Sequence, residues 1–171
     1  DTIDDPETFD GEYLPDSFRQ WNTDKYNTKL ENLAKVITTF DGKYAPDFLG
    51  LCEVENKKVV EDLMATGPLS ALGFELVHYE SSDARGIDVA ALYNPKKLTL
   101  VESGVQWVDL SAFDEITRDI LWVKMKSVIG DETFLFFVNH WPSRRGGLAE
   151  SEPKRIQAAK ALKQIKDSLL R

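Results

Sequence analysis

The stretch E-T-F-L-F-F-V-N-H-W-P-S-R-R-G-G at residues 132–147 decides which fold the chain can adopt. Its apolar run at residues 134–138 is too short for a surface helix, and its aromatic and β-branched content predicts a strand buried on both faces. Trp141-Pro142 cannot continue a central strand, because proline has no amide hydrogen to donate. The strand therefore delivers a polar group of side chains to one end of a sheet, where sites are commonly built: Asn139, His140, Ser143, Arg144 and Arg145.

The composition is that of one soluble domain. The chain has 171 residues, of which 42% are hydrophobic, and this is enough for a single core. No apolar run is long enough to predict a transmembrane segment. The opening residues D-T-I-D-D-P-E lack the basic start and apolar core of a signal peptide. The compartment stays unknown, because an exported form would have lost its signal or would carry it outside this sequence.

Charge is unevenly distributed along the chain. The net charge is −8, which argues against loose, charge-driven binding of nucleic acid but leaves room for a local basic site for one phosphate. Many of the acids fall in residues 1–24, without the spacing of an EF-hand calcium loop. We therefore predict an irregular, solvated arm at residues 1–22 rather than a cation site.

Hydrophobic periodicity predicts alternating helices and strands. A helix is expected from Tyr26 to Phe40, capped by Thr23 or Asp24 and stopped at Asp41-Gly42. A second, short helix is predicted at residues 59–64, and a last one from Ser151-Glu152-Pro153 to the end. Strands are predicted at residues 48–52, 74–79, 87–93, 98–108, 120–128 and 134–138. The order predicts one domain of the α/β (α+β) class, a mixed β-sheet with flanking helices.

Two predicted strands end in residues whose side chains can bind a metal or transfer a proton. Glu53 follows an apolar strand, and a rigid carboxylate there is one way in which proteins hold Mg²⁺. The alternative is an exposed acid at a strand end. His140 has the side chain of a general acid–base or a phosphate donor, although a structural histidine is the competing interpretation. The other histidine, His78, we interpret as structural.

Two arginines precede predicted strands. Arg85 lies in Arg85-Gly86-Ile87-Asp88, where glycine lets the backbone approach a ligand and arginine can bind phosphate in a bidentate manner. Arg118 stands in the same relation to the strand at residues 120–128. Otherwise each is a turn residue with a surface ion pair, which contributes little.

Together these segments resemble the endonuclease/exonuclease/phosphatase family, whose fold is that of pancreatic deoxyribonuclease, and within it the bacterial branch. F-L-G-L-C-E-V-E-N is similar to the family's metal-binding motif, which implies that Glu53 binds the metal. D-A-R-G-I-D-V-A-A-L-Y is similar to the next active-site strand, with Arg85 and Asp88. T-R-D-I-L-W-V-K-M and F-F-V-N-H-W-P-S-R are similar to the strands that carry the phosphate-approaching arginine and the catalytic histidine, which are Arg118 and His140.

The resemblance implies a metal-dependent phosphoester hydrolase, a nuclease, phosphodiesterase or phosphatase. Mg²⁺ or Mn²⁺ on Glu53 would assist water attack on phosphorus, with His140 as the second catalytic residue. Phosphate-binding roles fall on Arg118, Arg85, Asp88, Asn139, Ser143 and Arg144. The substrate could be a nucleic acid, a lipid or a small molecule.

The chain departs from the family pattern at both ends. The family's first strand with its active-site Asn, its later Asp-x-Asn motif and its Asp-His pair are not in residues 1–171. We therefore expect a partial catalytic domain, the front half of a four-layer αββα sandwich, inactive in isolation and completed by the missing C-terminal half or by self-association. The alternative is a non-catalytic module that binds a phosphate group or a protein.

Overall fold

The computed structural model describes residues 2–3, 11–39, 44–83, 85–144 and 146–171. Residues 1 and 4–10 of the predicted arm, the predicted helix stop at Asp41-Gly42, and Arg145 lie outside the described residues. The remainder of the arm consists of turns and a 3-10 turn at Gly11–Tyr13. Among the described residues, no helix combines the length and apolar character that crossing a membrane requires.

Two helices cover one side of the protein, and both begin at an asparagine cap. Helix α1 (Thr23–Thr38) starts after Asn22, whose side chain accepts a hydrogen bond of 3.0 Å from the Lys25 amide. The cap thus lies just before the predicted Thr23 or Asp24. Helix α2 (Lys57–Met64) follows Asn56, which accepts from the Val59 amide at 3.1 Å. A side-chain acceptor at this position satisfies an amide that has no partner within the helix.

The first sheet contains β1 (Phe48–Val54), β2 (Glu75–His78) and β3 (Asp88–Tyr93) in the order β1-β3-β2. Strand β3 pairs with both neighbours in antiparallel register. All six of its residues are buried, which follows from its central position and explains its continuous apolar run.

The second sheet contains β4 (Leu98–Gln106), β5 (Ile120–Ser127) and β6 (Thr133–Val138) in the order β4-β5-β6, again antiparallel. The prediction that residues 134–138 are buried on both faces is wrong. Strand β6 lies at the edge of the sheet, and Phe134 is 43% exposed. One of its aromatic residues contacts the other sheet instead, since the ring of Phe136 stacks on that of Phe48 with 3.9 Å between the ring centroids.

The two sheets pack face to face around a shared apolar core. Val77, Val89, Ala91 and Tyr93 from the first sheet meet Leu98, Leu121, Val123, Met125 and Val138 from the second. Helices α1 and α2 pack on the outer face of the first sheet, and α3 (Leu148–Leu169) packs at one end of the second sheet, where Ala158 joins a cluster with Val108, Leu110 and Ile120. The α/β class and the flanking helices are confirmed.

The strand pairing differs from the predicted mixed sheet in one respect. Every strand pair in the described parts of the chain is antiparallel. A parallel pair needs a crossover of a dozen or more residues. The connections at residues 79–87 and 128–132 are shorter than that, which accounts for the antiparallel pairs β2–β3 and β5–β6.

Helix α3 begins at Leu148, one turn before the predicted start at Ser151-Glu152-Pro153. The chain enters the helix through Gly147, whose φ of 109° is in the region that favours glycine. Ser151 is already inside the helix, and its amide donates to the Gly147 carbonyl at 3.2 Å. Pro153 consequently lies within the helix rather than in its first turn.

Candidate active site

Glu53 lies in a β-bulge at the end of β1. The register with β3 shifts between Cys52 and Val54, and Glu53 has a φ of 58°, in the left-handed region. That conformation is unfavourable for a residue with a side chain, and non-glycine examples concentrate at functional sites. A bulge also changes the direction in which a side chain points. The Glu53 side chain is 69% exposed, so its carboxylate is open to a ligand.

The ends of β1 and β6 meet at Glu53 and His140. The Nε2 of His140 lies 3.6 Å from the Glu53 Oε1, and the His140 side chain is 24% exposed. The Cys52 thiol donates to the Asn139 carbonyl at 3.5 Å, which ties the same two strand ends together. The structure thus brings the two predicted catalytic residues, one from each sheet, into a single site. We call Glu53 and residues 139–141 the rim.

Buried polar atoms without a hydrogen-bond partner cluster around the rim. Such atoms are rare in folded proteins, and each calls for an explanation. Within the described portion of the chain, those on side chains all belong to residues 117–119 and 139–141: Thr117 Oγ1, Arg118 Nε, Asp119 Oδ1, Asn139 Oδ1, His140 Nδ1 and Trp141 Nε1. This end of the protein therefore holds donors and acceptors that a ligand or water can satisfy.

Arg118 lies beneath the rim rather than on it. Its side chain is 7% exposed, and NH1 donates to the Asp83 Oδ2 at 2.8 Å. NH2 donates to the carbonyls of His140 and Trp141 at 2.8 and 3.4 Å. Arg118 therefore fixes the backbone that carries His140, and its terminal nitrogens are already occupied by protein groups.

Arg85 shares an acid with Arg118 but remains accessible. Its amide and Nε both donate to the Asp83 Oδ1, at 3.0 and 3.3 Å, while its side chain stays 54% exposed. Unlike Arg118, Arg85 is therefore presented to solvent. A guanidinium held by a neighbouring carboxylate is well suited to bind phosphate.

Asp83 is a site residue that the sequence interpretation missed. Its side chain is 4% exposed and accepts hydrogen bonds from both arginines. Burial opposes its ionisation, but the hydrogen bonds from Arg118 and the Arg85 amide lower its pKa below the ordinary value. An acid two residues before Arg85 is typical of an Asx turn. The partnership with Arg118, 35 residues away, appears only in the folded chain.

Asp88 faces inward, away from solvent. It is 2% exposed, with Oδ2 at 3.0 Å from the His78 Nε2 and Oδ1 accepting from the Ser81 amide at 2.8 Å. His78 therefore has polar partners, which its apolar sequence context does not reveal. His78, Glu80 and Asp88 are also the one group of three within the described ranges whose metal-ligating atoms all lie within 4.8 Å of one another.

The remaining predicted residues occupy the rim and the loop after it. Asn139 is half-buried and donates from Nδ2 to the Phe137 carbonyl at 3.4 Å. Ser143 and Arg144 are exposed in the segment that leads into α3. They follow His140 closely in sequence, so the structure leaves both near the rim and open to solvent.

The environment of His140 favours the neutral imidazole. Burial lowers the pKa of His140, the positive charge of Arg118 lowers it further, and the Glu53 carboxylate partly opposes both. An imidazole that is neutral at neutral pH can accept a proton or donate one hydrogen bond. Its geometry and its charge state therefore both suit acid–base chemistry.

Glu53 has the donor type that a hard divalent cation prefers. Mg²⁺ binds oxygen ligands, often with one or two carboxylates plus waters and substrate phosphate. Glu53 does not belong to the group of three ligands found among the described residues. An ion at Glu53 would therefore take its other ligands from water, the substrate or further chain, and the exposure of the carboxylate allows this.

The chain was compared with known protein families, sequences and structures. The chain matches the sequence model of the endonuclease/exonuclease/phosphatase family over residues 1–171. No curated protein sequence matches it significantly. The structure is similar to the mannosyl-6-phosphatase Bt3783 of Bacteroides thetaiotaomicron VPI-5482, with 19% identity over 85% of this chain and 52% of that chain and a TM-score of 0.66.

Two further structures show the same likeness. A functionally unknown conserved protein from Enterococcus faecalis V583 has 20% identity over 91% of this chain and 56% of its own, with a TM-score of 0.61. D. rerio TDP2, complexed with a single strand DNA product, has 15% identity over 85% and 50%, with a TM-score of 0.59. At these identities the likeness establishes the fold, and the chain spans about half the length of the structures it matches. The match to the family model, over all residues 1–171, goes further: the chain belongs to the endonuclease/exonuclease/phosphatase family.

Proposed function

We propose that this chain forms part of a metal-dependent phosphoester hydrolase. The observation that carries the proposal is the meeting of Glu53 and His140, which come from different sheets and lie 3.6 Å apart at the rim. Family membership supports it, and one of the similar structures is a mannosyl-6-phosphatase. The left-handed backbone of Glu53 supports it too, because strain of this kind concentrates at functional sites.

In this proposal the arginines have different tasks. Arg85, which is half exposed, binds the non-bridging oxygens of the phosphate and offsets their charge. Arg118 is buried, so it adds positive charge beneath the phosphate and holds the His140 carbonyl in place. Asn139, Ser143 and Arg144 supply further polar contacts from the rim and the loop after it.

His140 is the proposed acid–base residue. As a neutral imidazole it donates a hydrogen bond to a phosphoryl oxygen or takes a proton from the attacking water. The Arg118 contacts fix its backbone, and Glu53 lies beside its Nε2. A positioned group of this kind typically contributes about 10²–10⁴-fold to a rate.

Glu53 is the proposed ligand of Mg²⁺ or Mn²⁺. When bound, such an ion polarises a phosphoryl oxygen and stabilises the leaving oxygen. Glu53 contributes an exposed carboxylate in a bulged segment that pairs with the buried strand β3. Its orientation is consequently set by the sheet rather than by a free loop.

The site requires a further segment. Within the described residues, β1 and β6 each pair with a strand on one edge only. Because the chain spans about half the length of its structural neighbours, we propose that the C-terminal half of the family domain, or a second copy, covers these edges. An unpaired strand edge readily recruits another strand.

The substrate is a phosphate ester, and its type stays open. Nucleic acid, lipid and small phosphorylated molecules all present the same group to Arg85 and the rim. The net charge of −8 mildly disfavours a long nucleic-acid groove. The exposed rim suits either a monoester or a diester.

A non-catalytic phosphate- or protein-binding module is the second candidate. One observation favours it: Glu53 is absent from any group of three metal-ligating residues in the described part of the chain. A binding module would retain Arg85 and the rim but would hydrolyse nothing. The two proposals therefore differ in turnover and agree in phosphate binding.

The experiment measures Mg²⁺-dependent hydrolysis of bis-p-nitrophenyl phosphate by the full-length protein, with p-nitrophenyl phosphate as the monoester. We expect Glu53→Gln to lower kcat/KM by about a hundredfold or more and to abolish the response to added Mg²⁺. Glu61→Gln is the matched control, because Glu61 lies on α2 in an exposed pair with Lys57. Unchanged activity in Glu53→Gln would refute the site, and phosphate binding without turnover would favour the binding module.

A further inference from the structure

We propose that His78 and Asp88 are positioning residues for the phosphate site. They act through the loop at residues 79–87, which we call the Asp83 loop because it presents Asp83 to both arginines. The inference rests on the proposed function, since it explains how the phosphate-binding side of that site is held. Neither His78 nor Asp88 touches the substrate.

The first step is a buried pair at the base of the loop. The side chains of His78 and Asp88 are 3% and 2% exposed, and His78 Nε2 lies 3.0 Å from Asp88 Oδ2. His78 ends β2 and Asp88 begins β3, so the pair joins the two strands where the loop leaves the sheet. A charge-assisted hydrogen bond in an interior of low dielectric holds this geometry firmly.

The second step carries that order into the loop. The other Asp88 oxygen accepts the Ser81 amide at 2.8 Å. The Ser81 hydroxyl donates to the Ile87 carbonyl at 3.2 Å, across the neck of the loop. The Asp83 amide in turn donates to the Ser81 hydroxyl at 3.4 Å. Three hydrogen bonds therefore hold Ser81, one at its amide and two at its hydroxyl, and one of these fixes the Asp83 amide.

The third step reaches the active site. Asp83 accepts from Arg85 Nε with one carboxylate oxygen and from Arg118 NH1 with the other, at 3.3 and 2.8 Å. Arg118 NH2 donates to the His140 carbonyl at 2.8 Å. A continuous series of hydrogen bonds thus runs from His78 to the backbone of His140. A small displacement of Asp83 would move both arginines.

The same atoms argue against a metal at this pair. Both Asp88 oxygens already have protein donors, and the pair lies beneath the surface. Glu80, which supplies the third potential ligand, is 69% exposed and lies 3.8 Å from the His78 Nδ1. The interactions of His78 and Asp88 are satisfied without an ion, so we assign them to positioning.

The test compares His78→Leu with His78→Gln in the full-length protein, because the glutamine amide places a donor near the position of the imidazole Nε2. We expect His78→Leu to raise KM for bis-p-nitrophenyl phosphate and to lower kcat/KM by about 10–100-fold, the loss typical of residues that orient a site. His78→Gln should have a kcat/KM and a KM close to those of the wild type. Affinity for inorganic phosphate, measured by calorimetry, should change in parallel.

Two further variants separate positioning from a general loss of stability. Val77→Ala loosens the same strand in the apolar core, and it should lower Tm while leaving KM and phosphate affinity unchanged. Ser81→Ala removes a central link without disturbing the buried pair. It should weaken phosphate affinity by about 2–10-fold, the typical effect of losing a single hydrogen bond, because only one of the two hydroxyl bonds reaches Asp83. This variant keeps the inference testable if His78→Leu does not fold.

Wild-type KM and phosphate affinity in folded His78→Leu and in Ser81→Ala would overturn the inference. A divalent ion that binds the wild-type protein and is lost in His78→Leu would also overturn it, because His78 would then be a ligand. If the full-length protein binds phosphate but hydrolyses neither ester, the proposed function fails while phosphate affinity still tests the loop. If it binds no phosphate, both fail.

Discussion

The rim and the Asp83 loop contain similar residue types, but their polar groups are satisfied to very different degrees. In the loop, Ser81 bonds to Asp88 at the start of β3 and to Asp83, and Asp83 bonds to Arg118. At the rim, Asn139, His140 and Trp141 each hold a buried polar atom without a partner. Glu53 adds a left-handed backbone to the same region. The difference shows that the loop is fixed in one geometry by its own hydrogen bonds, whereas the rim keeps its polar groups available to a ligand.

The largest expected effect is on the loop side. Asp83→Ala would leave the buried Arg118 guanidinium without its carboxylate. Removing one partner of a buried pair costs about 3–5 kcal/mol in the free energy of unfolding. Urea denaturation of the variant beside Glu61→Gln, whose ion pair is exposed, measures the difference. A loss no larger than that of the control would show that the loop does not depend on Asp83.

The next effect is an increase in the free energy of unfolding, and it concerns Glu53 at the rim. Glu53→Gly should raise the free energy of unfolding by about 1 kcal/mol, because glycine adopts a φ of 58° without steric cost. It should also abolish hydrolysis by the full-length protein. Cys52→Gly is the control, since Cys52 precedes the bulge and does not have a positive φ. A destabilised Glu53→Gly would mean that the rim is not strained.

The smallest effect is the pH dependence that His140 contributes. Its pKa in the folded protein is lowered by burial and by Arg118, so the unfolded chain, with an ordinary pKa of about 6.5, takes up the proton first. Stability from this source is therefore complete above that pH and is lost as the pH falls below it. Urea unfolding at pH 7.5 and 5.5 should show a smaller decrease in His140→Gln than in the wild type. Equal decreases would contradict the shift.

The sequence predicts the elements better than it predicts their burial. Apolar periodicity located every helix and strand described above, and the ends of strands pointed to Glu53 and His140. The aromatic run at residues 134–138 nonetheless suggested a central strand, because a local pattern does not show whether its partners are a neighbouring strand or the facing sheet. The strand order β4-β5-β6 places it at the edge, and Phe136 stacks on Phe48 of the facing sheet.

The supporting residues of the site were harder to predict because their contacts are distant in sequence. Asp83 and Arg118 are 35 residues apart, and neither has a local pattern that names the other. Asp88 was expected to contact phosphate, and it lies instead against His78 in the interior. Motif spacing identifies which residues are near a site, while burial decides which of them can touch a ligand.

A double-mutant cycle on Glu53 and His140 tests the central claim most directly. It compares kcat/KM of the full-length protein on bis-p-nitrophenyl phosphate for the wild type, Glu53→Gln, His140→Ala and the double variant. Residues that act as one unit show strongly non-additive losses. We predict that kcat/KM of the double variant is only slightly lower than that of the less active single variant. Losses that multiply, or single variants with wild-type activity, would contradict a shared site at the rim.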